Sequence, residues 1–319
     1  MPLAANNGPR VIDPILTTVA QGYASQDFVG FNLFPEVPVS AAGGQIIEFD
    51  RDAFRLYTSR RAPGSSTREI QLGYSGKPFA LANHRLQTVV PREHQRDAAN
   101  VAGINLDEVG VNTTMRAIRL ALEVEQALLA TTAANYGAGN KLTLAGATKW
   151  SYTTSPVNPL NDIDTGREAI RTACGLYPNV AVMSAVAFNA CKNNSNVIAR
   201  FQYNGQTGMT ATQITADMLA GLFNVKKVVI GAGVYWTDAN VSVDIWGNAV
   251  VLAYVPEGTG ALRSRYDPSF GYTYVMQGHP MAEPPFWDND KAGWKYPVEM
   301  ERVAVLSGIA AGYLISNPA

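Results

Sequence analysis

The chain has 319 residues, 47% of them hydrophobic and only 16% charged. That length suits two domains, or one large domain with excursions, and allows a sizeable core. With 25 basic against 26 acidic side chains the net charge is −1, which excludes tight duplex binding by counterion release. A charged fraction below the usual ~25% fits a subunit with extensive interfaces, or simply a larger core. The two cysteines, Cys174 and Cys191, are expected to be free thiols in a reducing compartment. Residues 1–14 contain Asn6, Asn7, Arg10 and Asp13 and lack the apolar run of an export signal, so folding in the cytoplasm is expected. The most apolar stretch, 303–315, is broken by Ser307, Gly308 and Gly312 and is too short for a membrane helix.

In chain order, residues 1–44 read as an arm. Ile15, Leu16, Val19 and Ala20 share one face of a short helix after Pro14. Phe28, Phe31, Leu33, Phe34, Val37 and Val39 follow in a run broken by glycine and proline. Such a strap lies across something already folded, either its own domain or a neighbouring copy. Residues 45–90 read as one extended β-hairpin, with a turn at Arg60-Arg61-Ala62-Pro63-Gly64 and Arg68 close behind. A two-stranded hairpin alone in water is marginal. It therefore calls for another surface, expected on a second copy.

The clearest helix runs over about 107–134, with Met115, Ile118, Leu122 and Leu129 as its stripe. Ala121, Val124 and Leu128 widen that stripe, while Arg116, Arg119, Glu123, Glu125 and Gln126 supply polar surface. Residues 160–265 then alternate helices and strands as an α/β layer does. They give a helix over 162–174, a strand over 180–183, and a helix over 185–192 capped by Ser184. Another helix falls around Ile214–Leu222, with a strand over 228–230. Residues 243–246 and 249–255 flank Gly247-Asn248, which suits a tight type II′ hairpin turn. Strands over 272–276, 294–306 and 312–315 complete the chain.

The search for chemistry is negative. His84, His94 and His279 form no short-spaced pair, and Glu93-His94 sits in a charged, solvated segment. Gly73-Tyr74-Ser75-Gly76-Lys77 lacks the glycine and the Ser/Thr of a phosphate loop. No Gly-x-Ser-x-Gly nucleophile elbow occurs. The pairs Asp162/Asp164 and Asp288/Asp290 read as a helix start and a polar loop rather than cation sites. Arg263-Ser264-Arg265-Tyr266 lacks the repeated basic stripe of a nucleic-acid site. No catalytic, cofactor or metal residue is expected.

The order of elements, and several phrases within it, resemble a known family. Val11-Ile12-Asp13-Pro14-Ile15-Leu16-Thr17, Phe28-Val29-Gly30 and Leu33-Phe34-Pro35 resemble the N-terminal arm of the major capsid protein of tailed bacteriophages, the Hong Kong 97-type shell fold. Leu219-Ala220-Gly221-Leu222-Phe223-Asn224-Val225, Ile245-Trp246-Gly247-Asn248 and Pro268-Ser269-Phe270-Gly271-Tyr272-Thr273 are similar to its later segments. The resemblance implies an α+β fold. Its parts would be an N-terminal arm (1–44), an extended β-hairpin loop (45–90), a peripheral domain with a long spine helix (91–159), an axial α/β domain (160–265) and returning strands (266–319).

It also implies a subunit that self-assembles into hexamers and pentamers of an icosahedral phage head around packaged double-stranded DNA. That head is a virion component assembled in the host cytoplasm. Arg60, Arg61 and Arg68 at the hairpin tip, with Phe28, Phe31 and Phe34 in the arm, are the expected subunit-interface residues. Further implied partners are a separate scaffolding protein, a portal, a decoration protein and DNA held by weak contacts, with no membrane. Lys77 is the hairpin's lone lysine and no Asn partner is marked, so intersubunit crosslinking is not expected. The alternatives are an encapsulin-like nanocompartment shell and, from another class, a hydrolase with a dispersed site.

Overall fold

A computed structural model describes residues 13–22, 28–47, 60, 64, 76–98, 105–152, 157–203, 213–256 and 269–319. The Asp13 carboxylate accepts the Leu16 N–H at 3.0 Å and so caps helix α1 (Pro14–Gly22). Strand β1 (Glu36–Val39) alternates exposed and buried residues. β2 (Gly43–Ile47) and β3 (Gly76–Ala80) pair antiparallel, Gly43 opposite Ala80 and Ile47 opposite Gly76. They form the base of the expected hairpin. Toward its tip, Arg60 and Gly64 are exposed, and Gly64 takes the left-handed φ of 83° that a Pro-Gly turn demands. Arg61 and Arg68 lie outside the described residues. After β3 come β4 (Ala82–Pro91) and α2 (Arg92–Ala98), the latter with no buried residue.

Helix α3 (Leu106–Thr131) is 26 residues long, or about 39 Å at 1.5 Å per residue. Asn105 caps it by accepting the Asp107 N–H, and Asp107 and Glu108 place negative charge at its positive end. β5 (Lys141–Thr143) follows. Helix α4 (Pro159–Cys174) begins three residues before the expected start, because Asn158 caps it and Pro159 fits its first turn. Gly175, at φ 73°, ends it. β6 (Val180–Ser184) leads directly into α5 (Ala185–Lys192), and the Ser184 hydroxyl accepts the Ala187 N–H at 3.2 Å. Then come α6 (Ser195–Tyr203), α7 (Ala216–Leu222), β7 (Lys227–Gly231), β8 (Val234–Trp236), β9 (Ser242–Asp244) and β10 (Ala249–Ala253). The chain closes with β11 (Gly271–Met276), β12 (Met281–Ala282), β13 (Phe286–Asp288), β14 (Gly293–Leu306) and β15 (Gly312–Ser316).

Among the described residues these strands build two main sheets and two ribbons. The six-stranded sheet runs β1-β11-β14-β12, with β4 and β13 also on β14. The five-stranded sheet runs β5-β15-β10-β6-β7. Its period-2 alternation separates two cores. Ala181, Met183, Val250, Leu252, Tyr313 and Ile315 face helices α4 to α7. Val182, Val251, Ala253 and Leu314 face the opposite way, toward Leu33, Phe34, Ala127 and Ala130. Helix α3 joins the two bodies. Its first half buries Val111, Met115, Ile118 and Leu122 on the six-stranded sheet, and its second half enters the core of the five-stranded one.

Four expectations are corrected. Residues 82–90 are not part of the hairpin: β4 pairs antiparallel along β14, from Pro91 opposite Gly293 to Ala82 opposite Arg302. Alternating hydrophobicity marks a strand but not its partner, and here the partner lies more than 200 residues on. Gly247-Asn248 does not close a hairpin, since β9 pairs with β8 while β10 pairs with β15 and β6. Ile245 and Trp246 are buried and carry the chain from one sheet to the other. Leu128 and Ala121 do not widen the helix stripe: both are exposed, Leu128 by 66%. Glu123 and Gln126, read as polar surface, are each only 2% exposed.

Candidate assembly surfaces and the junction behind them

The arm lies on its own chain over residues 13–22 and 28–39, so the first of its two alternatives holds there. Asp13 N–H donates to the Ala282 carbonyl at 3.1 Å, and Gln21 reaches the Gly278 and Pro280 carbonyls. β1 runs parallel to β11, Glu36 opposite Thr273 and Val39 opposite Met276. Phe34 is fully buried, packed against Phe270 at 5.6 Å between ring centroids. It is therefore removed from the expected interface, because its side chain is spent inside its own core. Phe28 is half-buried. Phe31 remains 53% exposed, with the Lys227 ammonium 5.9 Å from its ring centroid.

What fastens the arm is a buried carboxylate. Glu123 of α3 accepts the Val29 N–H at 3.0 Å, the Gly30 N–H at 2.9 Å and the Trp246 indole N–H at 2.7 Å. One side chain thus ties together the arm, the long helix and the segment between β9 and β10. Burial pushes its carboxyl above the ordinary range, while those donors pull it back. One turn along, Gln126 donates to the Thr273 hydroxyl at 2.8 Å, and that hydroxyl donates to the Phe34 carbonyl at 3.1 Å. Gly30 is dictated by this arrangement: a Cβ there would stand 2.1 Å from Gln126 Oε1 and 2.8 Å from Glu123 Oε2. The polar layer sits where α3 passes from one core to the other.

A second polar seam lies under the same helix. Arg302 of β14 is fully buried and pairs through Nη1 with Glu125, while Arg119 pairs with Glu36 of β1. Nε and Nη2 of Arg302 have no protein partner among the described residues. Desolvation pulls the guanidinium below its ordinary value, with Glu125 opposing. The nearby imidazole of His84 is likewise pushed down, by burial first and by Arg302 second.

No catalytic constellation emerges from these surroundings. Asp162 accepts the Trp150 indole N–H at 2.7 Å and Asp164 pairs with Arg167; Asp288 pairs with Lys295 and accepts the Asp290 N–H. The carboxylates of Asp162, Asp164 and Asp288 are thus engaged by protein partners. His279, Glu299 and Glu301 offer ligand atoms within 4.8 Å of one another. Yet His279 Nδ1 accepts the Glu301 N–H at 3.2 Å. That nitrogen is therefore committed to the backbone. Cys174 and Cys191 are free, and burial pushes the Cys191 thiol up to about 12. Among the described residues no helix is long and apolar enough to cross a membrane.

The outer surface carries apolar groups suited to contact between copies. Trp287 and Trp294 meet edge to face at 5.8 Å on the β13–β14 hairpin, beside Phe286, and all three are more than a third exposed. Val234, Trp236 and Val241 stand out from the β8–β9 ribbon, Trp236 by 68%. Sequence reading missed both patches, since an isolated Trp in a short strand looks like core; alternation within β8 was the available cue.

Comparison with known proteins agrees with this architecture. Residues 123–306 match the family described as phage major capsid protein E. The chain is 33% identical over 310 residues to the major capsid protein of Burkholderia phage BcepMu, covering 97% of each. Among solved structures it resembles a phage-related protein of Bordetella bronchiseptica at 38% identity and TM-score 0.81, covering 98% of this chain and 99% of that one. The capsid of cyanophage P-SCSP1u, at 10% identity and TM-score 0.57, covers 91% and 88% and shares the fold. The α+β arrangement is the Hong Kong 97-type capsid fold, and the role is that of a structural shell subunit rather than an enzyme. The chain belongs to the phage major capsid protein E family.

Proposed function

We propose that copies of this chain assemble as hexamers and pentamers into an icosahedral head that encloses double-stranded DNA. In that reading the ribbon 45–81 and its tip form the extended loop, α3 is the spine of a peripheral domain completed by β4 and β11–β14, and 160–265 is the axial domain. The observation that carries it is the β2–β3 ribbon, which among the described residues pairs with no other strand. Its base is held by Phe79 stacked on Tyr274 at 4.6 Å. A two-stranded ribbon needs a further surface to be stable, and a neighbouring copy supplies one. Arg60, Arg61 and Arg68 at its tip, with Phe31 and the half-buried Phe28 in the arm, are the residues proposed to meet that neighbour. Charged contacts of this kind set register more than affinity.

A genome rather than an enclosed enzyme is favoured by the full-length similarity to a phage major capsid protein. The near-neutral charge supports confinement of DNA by the wall with weak contacts. A separate scaffolding protein, a portal and a decoration protein complete the proposed partners, and assembly takes place in the host cytoplasm. Deleting residues 58–68 tests the reading: it is expected to leave a folded subunit that makes no shells. Normal particles from the deletion would overturn it.

A further inference from the structure

The five-stranded sheet carries two unlike features at the two ends of β7. At its start a groove of about 1030 Å³ opens between Arg167, Tyr177, Asn224, Lys226, Tyr254 and Pro256. Three cations (Arg167, Arg171 and Lys226) stand in or beside it against two carboxylates, Asp164 and Glu168, leaving one positive charge in excess. Both carboxylates are already engaged, Asp164 by Arg167 and Glu168 by Arg171 and the Tyr177 hydroxyl. Tyr177 is 48% exposed, with the Arg167 guanidinium 5.3 Å from its ring centroid.

Beyond the far end of β7 the β8–β9 ribbon pairs with no other strand among the described residues. It exposes Trp236 by 68%, Val241 by 56% and Val234 by 48%. Asp238 and Asp244 are exposed beside them, and no cation lies between 234 and 244. Its turn is fixed rather than loose: Thr237 N–H donates to Val241 O at 3.0 Å, Asn240 N–H donates to Thr237 O at 2.9 Å, and Asn240 takes φ 56°. A pre-ordered tip loses less entropy on docking.

We propose that the Trp236 tip of one copy docks in the Arg167–Tyr177–Lys226–Tyr254 groove of the next, a head-to-tail contact that rests on the shell-subunit reading. The two surfaces complement each other in charge and in chemistry. An indole is the ring best suited to cations, and the groove offers it cations together with two tyrosine rings. The acidic tip meets the basic groove, which steers the encounter and fixes its register. Because groove and tip lie about 15 Å or more apart along β7, the contact is made between different patches on each copy. Such a contact closes a ring when its rotation closes. Tryptophan, tyrosine and arginine are also the side chains that dominate interface energetics.

The test uses shells of the full chain. Trp236→Cys combined with Tyr254→Cys, treated with a short bifunctional maleimide, is expected to give a ladder of covalent multimers. Both cysteines are introduced on Cys174→Ala, which removes the half-buried thiol and leaves only the buried Cys191, and neither single variant nor that background should give one. If Trp236→Cys itself blocks assembly, Ala239→Cys in the exposed turn carries the same test. Asp238→Lys and Lys226→Glu are each expected to cut shell yield at least tenfold at unchanged Tm, with the two together restoring it. Shells that give no ladder overturn the contact whatever the yields. Wild-type chain that makes no shells counts instead against the reading on which the contact rests.

Discussion

Replacing Glu123 by Leu keeps most of the side chain's bulk and removes only its oxygens. Three buried donors then lose their acceptor: the Val29 and Gly30 amides and the Trp246 indole. A buried donor left without a partner costs about 1–3 kcal/mol. Part of that is offset because a buried carboxylate, itself costly to desolvate, is no longer present. A net loss of about 3 kcal/mol is the working value, a large share of the ~5–15 kcal/mol typical of a folded chain. At roughly 2–4 °C per kcal/mol for sizeable domains, Tm is expected to fall by about 6–12 °C. The loss should be local as well as global, with hydrogen-exchange protection falling first at residues 29–34. Circular dichroism melts and exchange mass spectrometry on the unassembled subunit read both. Glu108→Gln, at an exposed position on the same helix, serves as the control and should stay within about 0.5 kcal/mol. A Tm within 2 °C of wild type, as an order-of-magnitude limit from the same scaling, or unchanged protection at 29–34, would refute the reasoning.

The raised carboxyl of Glu123 has a pH consequence. The folded chain holds that proton more tightly than the unfolded one, so its contribution favours folding at low pH and declines as pH rises from about 4.3 toward the raised value. The stability gap between wild type and Glu123→Gln should therefore narrow as pH rises through that window, as urea titrations at several pH values will show. Gly30→Ala forces a Cβ to 2.1 Å from Gln126 Oε1 and is expected to cost about 1–3 kcal/mol by thermal melt. Glu125→Ala strands the buried Arg302 guanidinium. Its loss should be about 2–3 kcal/mol, discounted because Glu125 is partly solvated, and adding Arg302→Met should recover most of it. Iodoacetamide at pH 8 should label the half-buried Cys174 first and reach Cys191 only on unfolding, because the latter thiol is buried and pushed up to about 12.

Much of this architecture was legible because local chemistry dictates it. Asn158-Pro159 and Gly175 bound one helix, Ser184 starts another, and the Met115–Ile118–Leu122 stripe marks the long one. The junction was not legible. A glutamate and a glutamine among arginines on an amphipathic helix look like solvent-facing residues, and nothing local reports that amides 93 and 94 residues away will cover Glu123. Gly30 was a clue to close approach, though it reads equally well as a break in an irregular strap. The extent of the hairpin failed for the same reason of range: β4 carries a strand's pattern, but its mate β14 comes more than 200 residues later, beyond most of the five-stranded body. Candidate interface residues were chosen by type, which could not separate Phe34, sealed inside, from Phe31, three residues earlier and open to solvent.

Strand β14 and helix α3 have a mechanical consequence. A 14-residue strand spans about 46 Å and a 26-residue helix about 39 Å. The two are packed face to face through Val298, Met300, Met115 and Ile118. Two stiff members bonded along their length form a beam, and a beam of hydrogen-bonded backbone does not stretch. In a closed container built from such tiles, edge lengths are constant, so the radius can change only through the angle at which one tile meets the next. Diameter then becomes a property of the seams rather than of the tile. Substitutions along the rim, far from any core, are the ones expected to alter how large a container this chain encloses.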